Sequence, residues 1–287
     1  MDWERMQAAV RRLTTAGRVA VHLDLIAGLP GEDWQSFARS FDAVYALQPD
    51  YLQLGFLKLL KGSVLRAQAP RWGYAFSPHP PYEVLRSGHL GYRELRRLHR
   101  IEDMVDRYHN SGDFRHCLRW FTGEVYQGEA FAFFEQLAGY WEERGLHRRP
   151  PRKPGLYEVL VDFAARRDAG LVAPARDIAR FDFLLHFGAG EPPARLQAPP
   201  AAVPALDASR FFRSAANARR YWPHLAGLGV RDLRRRLRVE PFAVAVAGAG
   251  LPAPGGRQAV LFEYPPGGGH ALRWQVVNEE AEGWCEC

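Results

Sequence analysis

The first residue whose type and position suggest chemistry is Asp24, a carboxylate in the middle of the largely apolar run from Val19 to Ala27. An acidic side chain on a strand has to be solvated, paired or used at a site, because an unpaired buried carboxylate is costly. A structural hydrogen bond to a neighbouring loop would satisfy Asp24 equally well. The residue types alone therefore do not decide whether Asp24 is a site residue or a structural carboxylate.

The run around Asp24 has the alternation of a β-strand, whose side chains point to opposite faces in turn. One face carries His22, Asp24 and Ile26, and the other carries Val19, Val21, Leu23 and Leu25. The segment Gly28-Leu-Pro-Gly-Glu32 then predicts a sharp turn at the carboxyl end of the strand. Ligand-binding loops of α/β folds lie at this end, so we expect functional residues to concentrate here.

The elements that must position this strand follow from hydrophobic periodicity. Helical spacing predicts helices over residues 2–16, ending at Gly17, and over 32–47. A second strand is predicted over 51–60, and its nearly continuous apolar character is typical of a parallel strand covered on both faces. Two strands joined by a helix form a right-handed parallel unit.

Later segments divide into regions of different composition. The predicted fold class is α/β followed by mainly α: two βα units over residues 1–70, a helical domain over 71–190, a Pro/Ala-rich linker over 191–209, and a helix plus a small antiparallel β-sheet over 210–287. The sheet is predicted from period-two apolar residues separated by Gly/Pro-rich turns.

Composition excludes several classes of protein. The 287 residues have 47% hydrophobic content and contain neither a membrane-length apolar run nor a signal-peptide pattern, which predicts a cytoplasmic soluble protein. Cys117, Cys285 and Cys287 form no disulfide framework, and the terminal Cys-x-Cys is better explained as a frayed tail than as a metal site. The scattered histidines show no metal-ligand spacing, so no metal site is predicted.

A net charge of +6 comes almost wholly from arginine. The densest basic run is 231–238, where Leu233 and Leu237 are four residues apart. This spacing favours a solvated helix with one apolar stripe, and a nucleic-acid partner is the less favoured alternative.

The run HLDLIAGLPGE, residues 22–32, resembles the late barrel strand of radical S-adenosylmethionine (radical SAM) enzymes. Residues 52–63 (LQLGFLKLLKGS) make the resemblance to one group of these enzymes more specific, together with the segments 81–85, 92–95, 100–105 and 108–112. Together they resemble the C-terminal half of cobalamin-binding radical SAM proteins that carry an uncharacterised C-terminal domain. The resemblance is strongest over residues 19–121 and continues to Tyr264.

This resemblance implies roles for three residues of the first strand and its turn. Asp24 would contact the ribose or a nearby polar part of S-adenosylmethionine, Ile26 would pack on the adenine, and Gly28 would let the backbone approach the cofactor. Proteins of this kind use a 4Fe-4S cluster, S-adenosylmethionine and cobalamin to act on a substrate through radical chemistry, in some cases methyl transfer.

The sequence departs from the family pattern at the cluster motif. No C-x3-C-x2-C segment is present, so we expect no cofactor on this chain alone and no catalytic residue of its own. The favoured interpretation is a truncated or split C-terminal part of such an enzyme, inactive alone and completed by a separate N-terminal radical SAM/cobalamin polypeptide. The alternative is a non-catalytic module that docks on a protein or nucleic acid through its Arg-rich helices.

Overall fold

The computed structural model of the chain describes residues 2–188, 190–197, 206–225, 227–246, 258–277 and 281–283. The chain divides into two compact units, one of Met1–Gly112 with Phe121–Arg149 and one of Asp113–Trp120 with Pro150–Cys287. The order of elements confirms the predicted class, α/β first, then mainly α, with an antiparallel sheet near the C-terminus. The four-part domain division stays a prediction, and residues 198–205 of its linker lie outside the described residues.

The first unit begins with a helix and a βαβ segment and continues with a short antiparallel strand pair and further helices. Its elements are α1 (Trp3–Ala16), β1 (His22–Ala27), α2 (Trp34–Tyr45), β2 (Tyr51–Phe56), α3 (Val64–Ala67), β3 (Ala75–Phe76), β4 (Val84–Arg86), α4 (Tyr92–Met104) and, after the Asp113–Trp120 segment of the other unit, α6 (Ala130–Glu143). A π-helical turn, Val105–His109, continues α4.

Strands β1 and β2 form the predicted parallel pair, with Asp24 opposite Gln53 and Ile26 opposite Gly55. The expectation that β2 is covered on both faces is wrong, because Tyr51 and Gln53 are exposed while Leu52 and Leu54 are buried. An apolar sequence shows only that its residues can be buried, not that both faces of the strand are covered. Within the described residues, one face of the β1–β2 pair is packed and the other is exposed.

The packed side of the first unit is an aromatic core between α2 and α6. Helix α2 begins at a capping box, in which the side chain of Asp33 accepts from the Ser36 amide and Ser36 Oγ accepts from the Asp33 amide. This start directs Phe37 and Phe41 inward, and both are fully buried beside the ring of Phe131. Contacts between aromatic rings therefore hold the helix that follows β1.

The second unit contains helices followed by the small sheet. Its elements are α5 (Arg115–Trp120), α7 (Lys153–Arg167), α8 (Val172–Phe187), α9 (Ala208–Arg213), α10 (Ala215–Tyr221), α11 (Val230–Arg236), β5 (Leu237–Phe242), β6 (Gln258–Glu263) and β7 (Arg273–Val277). The three strands pair antiparallel in the order β5-β6-β7, which confirms the predicted sheet.

The sheet packs around Phe181 of α8, whose ring contacts Phe242, Phe262 and Trp274. The helix predicted at the start of the region 210–287 is divided into the short helices α9, α10 and α11, and β5 begins at Leu237. The side chain of Ser214 caps α10 by accepting from the Asn217 amide, which explains the first break.

In the part of the chain that the structure describes, no helix combines the length and the apolar character needed to cross a membrane.

Candidate functional site

The exposed face of β1 carries two of the three residues for which a cofactor role is predicted. The side chain of Asp24 is 65% exposed, and its Oδ1 lies 3.0 Å from His22 Nε2. Ile26 lies two residues further along the same face and is 46% exposed. The strand alternation therefore places a carboxylate and an apolar side chain next to each other on an open surface.

Strand β2 extends this surface with small and polar groups. The ring of Tyr51 packs edge-on against His22 at 4.6 Å between centroids. Gly55 has no side chain beside Ile26, and a Cβ atom there would lie 3.9 Å from Ile26 Cγ1. We call the surface of His22, Asp24, Ile26, Tyr51 and Gln53 the open face.

Gly28 lies in the turn after β1 and is buried within the chain. Its φ of +90° lies in the left-handed region, which favours glycine. Its amide donates to Glu32 Oε2 at 3.1 Å, and its carbonyl accepts from the Tyr74 hydroxyl at 2.8 Å. Both backbone polar groups are thus used inside the protein, where they hold the turn, and its contact with a cofactor stays a prediction.

Glu32, which lies just before α2, stabilises the same turn. Burial raises the pKa of its carboxyl, and the hydrogen bonds from the Gly28 and Leu29 amides oppose that increase. The turn in the segment from His22 to Glu32 is therefore held in place by hydrogen bonds within the protein.

The two edges of the strand pair differ. At the outer edge of β2, the Asn110 side chain accepts from the Leu52 amide at 2.9 Å and donates to the Leu52 carbonyl at 3.0 Å, as a neighbouring strand would. Among the described residues, β1 pairs with β2 alone. The Val21 carbonyl, just before β1, accepts from the Tyr51 amide, and the Ala27 carbonyl accepts from the Leu57 amide, just after β2. By alternation, the backbone groups of Asp24 point to the opposite, open edge.

A second cluster of titratable groups, which sequence reasoning missed, lies in the other unit. Asp182 of α8 is fully buried and accepts from His116 Nδ1 at 2.6 Å and from the Cys117 amide at 2.9 Å. Burial, followed by the Asp182 charge, raises the pKa of the Cys117 thiol well above its ordinary value. Cys117 is therefore an unreactive thiol rather than a nucleophile.

A third cluster, centred on His99 of α4, links that helix to the segment after β2. His99 Nε2 lies 2.9 Å from Glu83 Oε1, its Nδ1 lies 3.2 Å from Glu102 Oε2, and its ring stacks on Phe56. Burial lowers the pKa of His99, but the hydrogen bonds to Glu102 and Glu83 outweigh it and raise the pKa above the ordinary 6.5. The protonated imidazole can donate to both carboxylates at once.

The stabilisation from His99 is expected to depend on pH. Because its folded-state pKa is raised, the contribution is complete below the unfolded-state pKa and is lost as the pH rises through the folded-state value. We expect His99→Gln to lower the free energy of unfolding most at about pH 5.5 and least at about pH 9. Urea titrations across this range measure it, with exposed His89→Gln as control. A difference between the wild type and His99→Gln that does not vary with pH would contradict the assignment.

The donor set can be compared with the cofactors implied by the resemblance. An exposed carboxylate beside an exposed apolar side chain fits the polar and adenine parts of S-adenosylmethionine. A 4Fe-4S cluster does not fit the described residues, whose cysteine is the buried Cys117. Cys285 and Cys287, with the question of whether that tail binds metal, lie outside the described residues.

Comparison with known proteins gives a family but not an activity. A family profile described as "Protein of unknown function (DUF4080)" matches residues 70–262, more than half of the chain. The strand pair β1–β2 precedes the matched residues, which contain Asn110, His99 and the Asp182 cluster. A search of curated proteins finds no match. The chain therefore belongs to the DUF4080 family, proteins of unknown function.

Proposed function

We propose that this chain is the C-terminal part of a cobalamin-dependent radical SAM enzyme, in which it contributes part of the S-adenosylmethionine pocket and a substrate-facing domain. The cluster and the cobalamin would be held by other residues or by a separate N-terminal polypeptide. The proposal does not assign a catalytic residue to this chain.

The observation that carries the proposal is that β1 has both an exposed face, the open face, and an edge that pairs with no other described strand. Asp24 and Ile26 project from that face, and their strand pairs with β2 alone among the described residues. A parallel strand normally has neighbours on both sides and cover on both faces. Further strands added beside β1 would turn the open face toward the inside of a barrel.

The residues of the open face would hold the cofactor in two ways. The Asp24 carboxylate can accept hydrogen bonds from the ribose hydroxyls, and Ile26 can pack on the flat adenine ring. Gly28 contributes indirectly to this pocket, because its left-handed φ turns the chain at the end of the strand. When bound with a cluster, S-adenosylmethionine supplies the radical chemistry, and these residues bind and orient it.

Asp24→Asn tests the proposal on a completed protein, with an N-terminal half carrying the cluster motif fused from a radical SAM relative. The change keeps the size of the side chain but removes its charge, so we expect S-adenosylmethionine to bind about 10- to 100-fold more weakly, or roughly 1.5–3 kcal/mol. The thermal midpoint should not change, because the side chain is 65% exposed. Calorimetric titration and thermal unfolding measure the two quantities.

The matched control is Asp232→Asn, which changes an exposed carboxylate in the other unit. It should leave both quantities unchanged. A lower midpoint with unchanged affinity in Asp24→Asn would make Asp24 structural and remove it from the cofactor pocket. Equal affinity in all three proteins at equal midpoints would also reject the site.

The alternative, a non-catalytic docking module, rests on exposed arginines of α10 and α11. Arg219, Arg220, Arg231 and Arg234 are all exposed on these helices. A nucleic-acid partner would bind them with an affinity that falls steeply with salt. Fluorescence anisotropy with labelled single- and double-stranded DNA at two salt concentrations distinguishes this function from the favoured one.

A further inference from the structure

A groove lies between α10 and the start of α11 in the second unit. Its floor consists of apolar core residues, each at most 6% exposed: Phe212, Trp222, Leu225 and Leu233. The rings of Phe212 and Trp222 pack against each other, with 5.6 Å between their centroids. Because close-packed core side chains hold their positions, the floor of the groove is already formed before any ligand arrives.

The groove stays open because the residues at its sides are small. Ala215 and Ala218 lie three positions apart on α10 and therefore share a face. A Cβ atom on Gly229, just before α11, would have no described atom outside its chain neighbours within 4 Å. The cavity has a volume of about 450 Å³, within the range of about 300–1,000 Å³ that is typical of sites for small molecules.

Three polar side chains line the groove beside the apolar ones. Arg213 and Arg219 are exposed, and the described residues that line the groove include neither Asp nor Glu. Within the described ranges, Arg219 has no carboxylate partner. Ser214 is 6% exposed, and its Oγ accepts from the Asn217 amide at 3.0 Å. Its own hydroxyl hydrogen has no acceptor among the described residues, so it can still donate to a ligand.

We propose that this groove binds a small organic acid with an apolar body, such as a medium-chain carboxylate. The apolar body lies on the floor of the groove and contacts Leu228, an apolar side chain that is 39% exposed at its edge. The carboxylate accepts from the guanidinium of Arg219 and from the Ser214 hydroxyl. Arginine remains protonated at every pH that the protein tolerates, so the site recognises the anionic form of the ligand.

Calorimetric titration of the full chain with octanoate tests the proposal. Acetate and 1-octanol are the comparison compounds, because acetate lacks the apolar body and 1-octanol lacks the charge. We expect one octanoate per chain and binding of either comparison compound that is at least about 10-fold weaker. In nuclear magnetic resonance spectra, octanoate should shift the amide signals of Ala215 and Gly229, which line the groove.

Two substitutions test the two parts of the site. Arg219→Gln should weaken octanoate binding about 10-fold, because it removes the charge that faces the carboxylate. Leu228→Glu should weaken binding by at least about 10-fold, because it removes an apolar contact and adds a negative charge. The matched controls are Arg220→Gln and Leu272→Glu, which change exposed residues of the same unit that do not line the groove. Both controls should bind octanoate as tightly as the wild type.

Circular dichroism verifies that each variant is folded, as we expect because Arg219 and Leu228 are exposed. If one of the two variants unfolds, the other decides alone. The proposal is overturned if the wild type does not bind octanoate at millimolar concentration, or if either folded variant binds it as tightly as the wild type. An equal loss of affinity in Arg220→Gln would also overturn it, because net charge rather than the groove would then determine binding.

Discussion

Replacing Asp182 with alanine is expected to lower the free energy of unfolding of the second unit by about 3–5 kcal/mol. The fully buried carboxylate accepts from the His116 ring and from the Cys117 amide at the start of α5. Without it, a buried amide at a helix start has no acceptor, and that loss is costly. Urea unfolding measures the total effect, and hydrogen exchange of the Cys117 amide measures the local one.

His116→Ala is the matched control for Asp182→Ala, because it removes only the imidazole and leaves the carboxylate on the Cys117 amide. The His116 side chain is 22% exposed, so its removal should cost less than that of Asp182. An Asp182→Ala variant with unchanged stability would show that the carboxylate is not needed to hold α5 against α8.

Phe131→Ala is expected to destabilise the first unit by about 3–5 kcal/mol. Phe131 is 3% exposed, and its ring contacts Trp34 and Phe41, with centroids at 5.2 and 5.6 Å. Removing it leaves a cavity where α2 packs on α6, while the hydrogen bond from its backbone amide to Asp42 can remain. Thermal and urea unfolding measure the loss.

The matched control is Phe131→Leu, which keeps most of the apolar volume and should cost about 1.5 kcal/mol or less. Similar losses for leucine and alanine would mean that ring geometry, rather than filled volume, determines the packing here. A loss below about 1 kcal/mol for alanine would contradict the assignment of Phe131 to the centre of the core.

The site residues differ in how far local pattern could predict them. Alternation along β1 predicted that Asp24 and Ile26 share a face, and the structure confirms it because side chains of a strand alternate regardless of tertiary context. The position of Gly28 in a turn was also predicted, and its φ of +90° agrees. That its amide and carbonyl are both used internally depends on Glu32 and Tyr74, and the contact with Tyr74 spans 46 positions in the sequence.

The sequence by itself determined the fold class, the parallel pair and the antiparallel sheet, since each of these strands follows from local periodicity and from the turn residues beside it. It left open whether Asp24 is solvated or paired, and it predicted one helix where the structure has α9, α10 and α11. Only the tertiary structure decided that β2 is open on one face and that Asn110 replaces a strand at its edge. It also brought His186 to His270 across 84 positions. Local periodicity is written into neighbouring residues, whereas convergence of distant side chains follows from packing of whole elements.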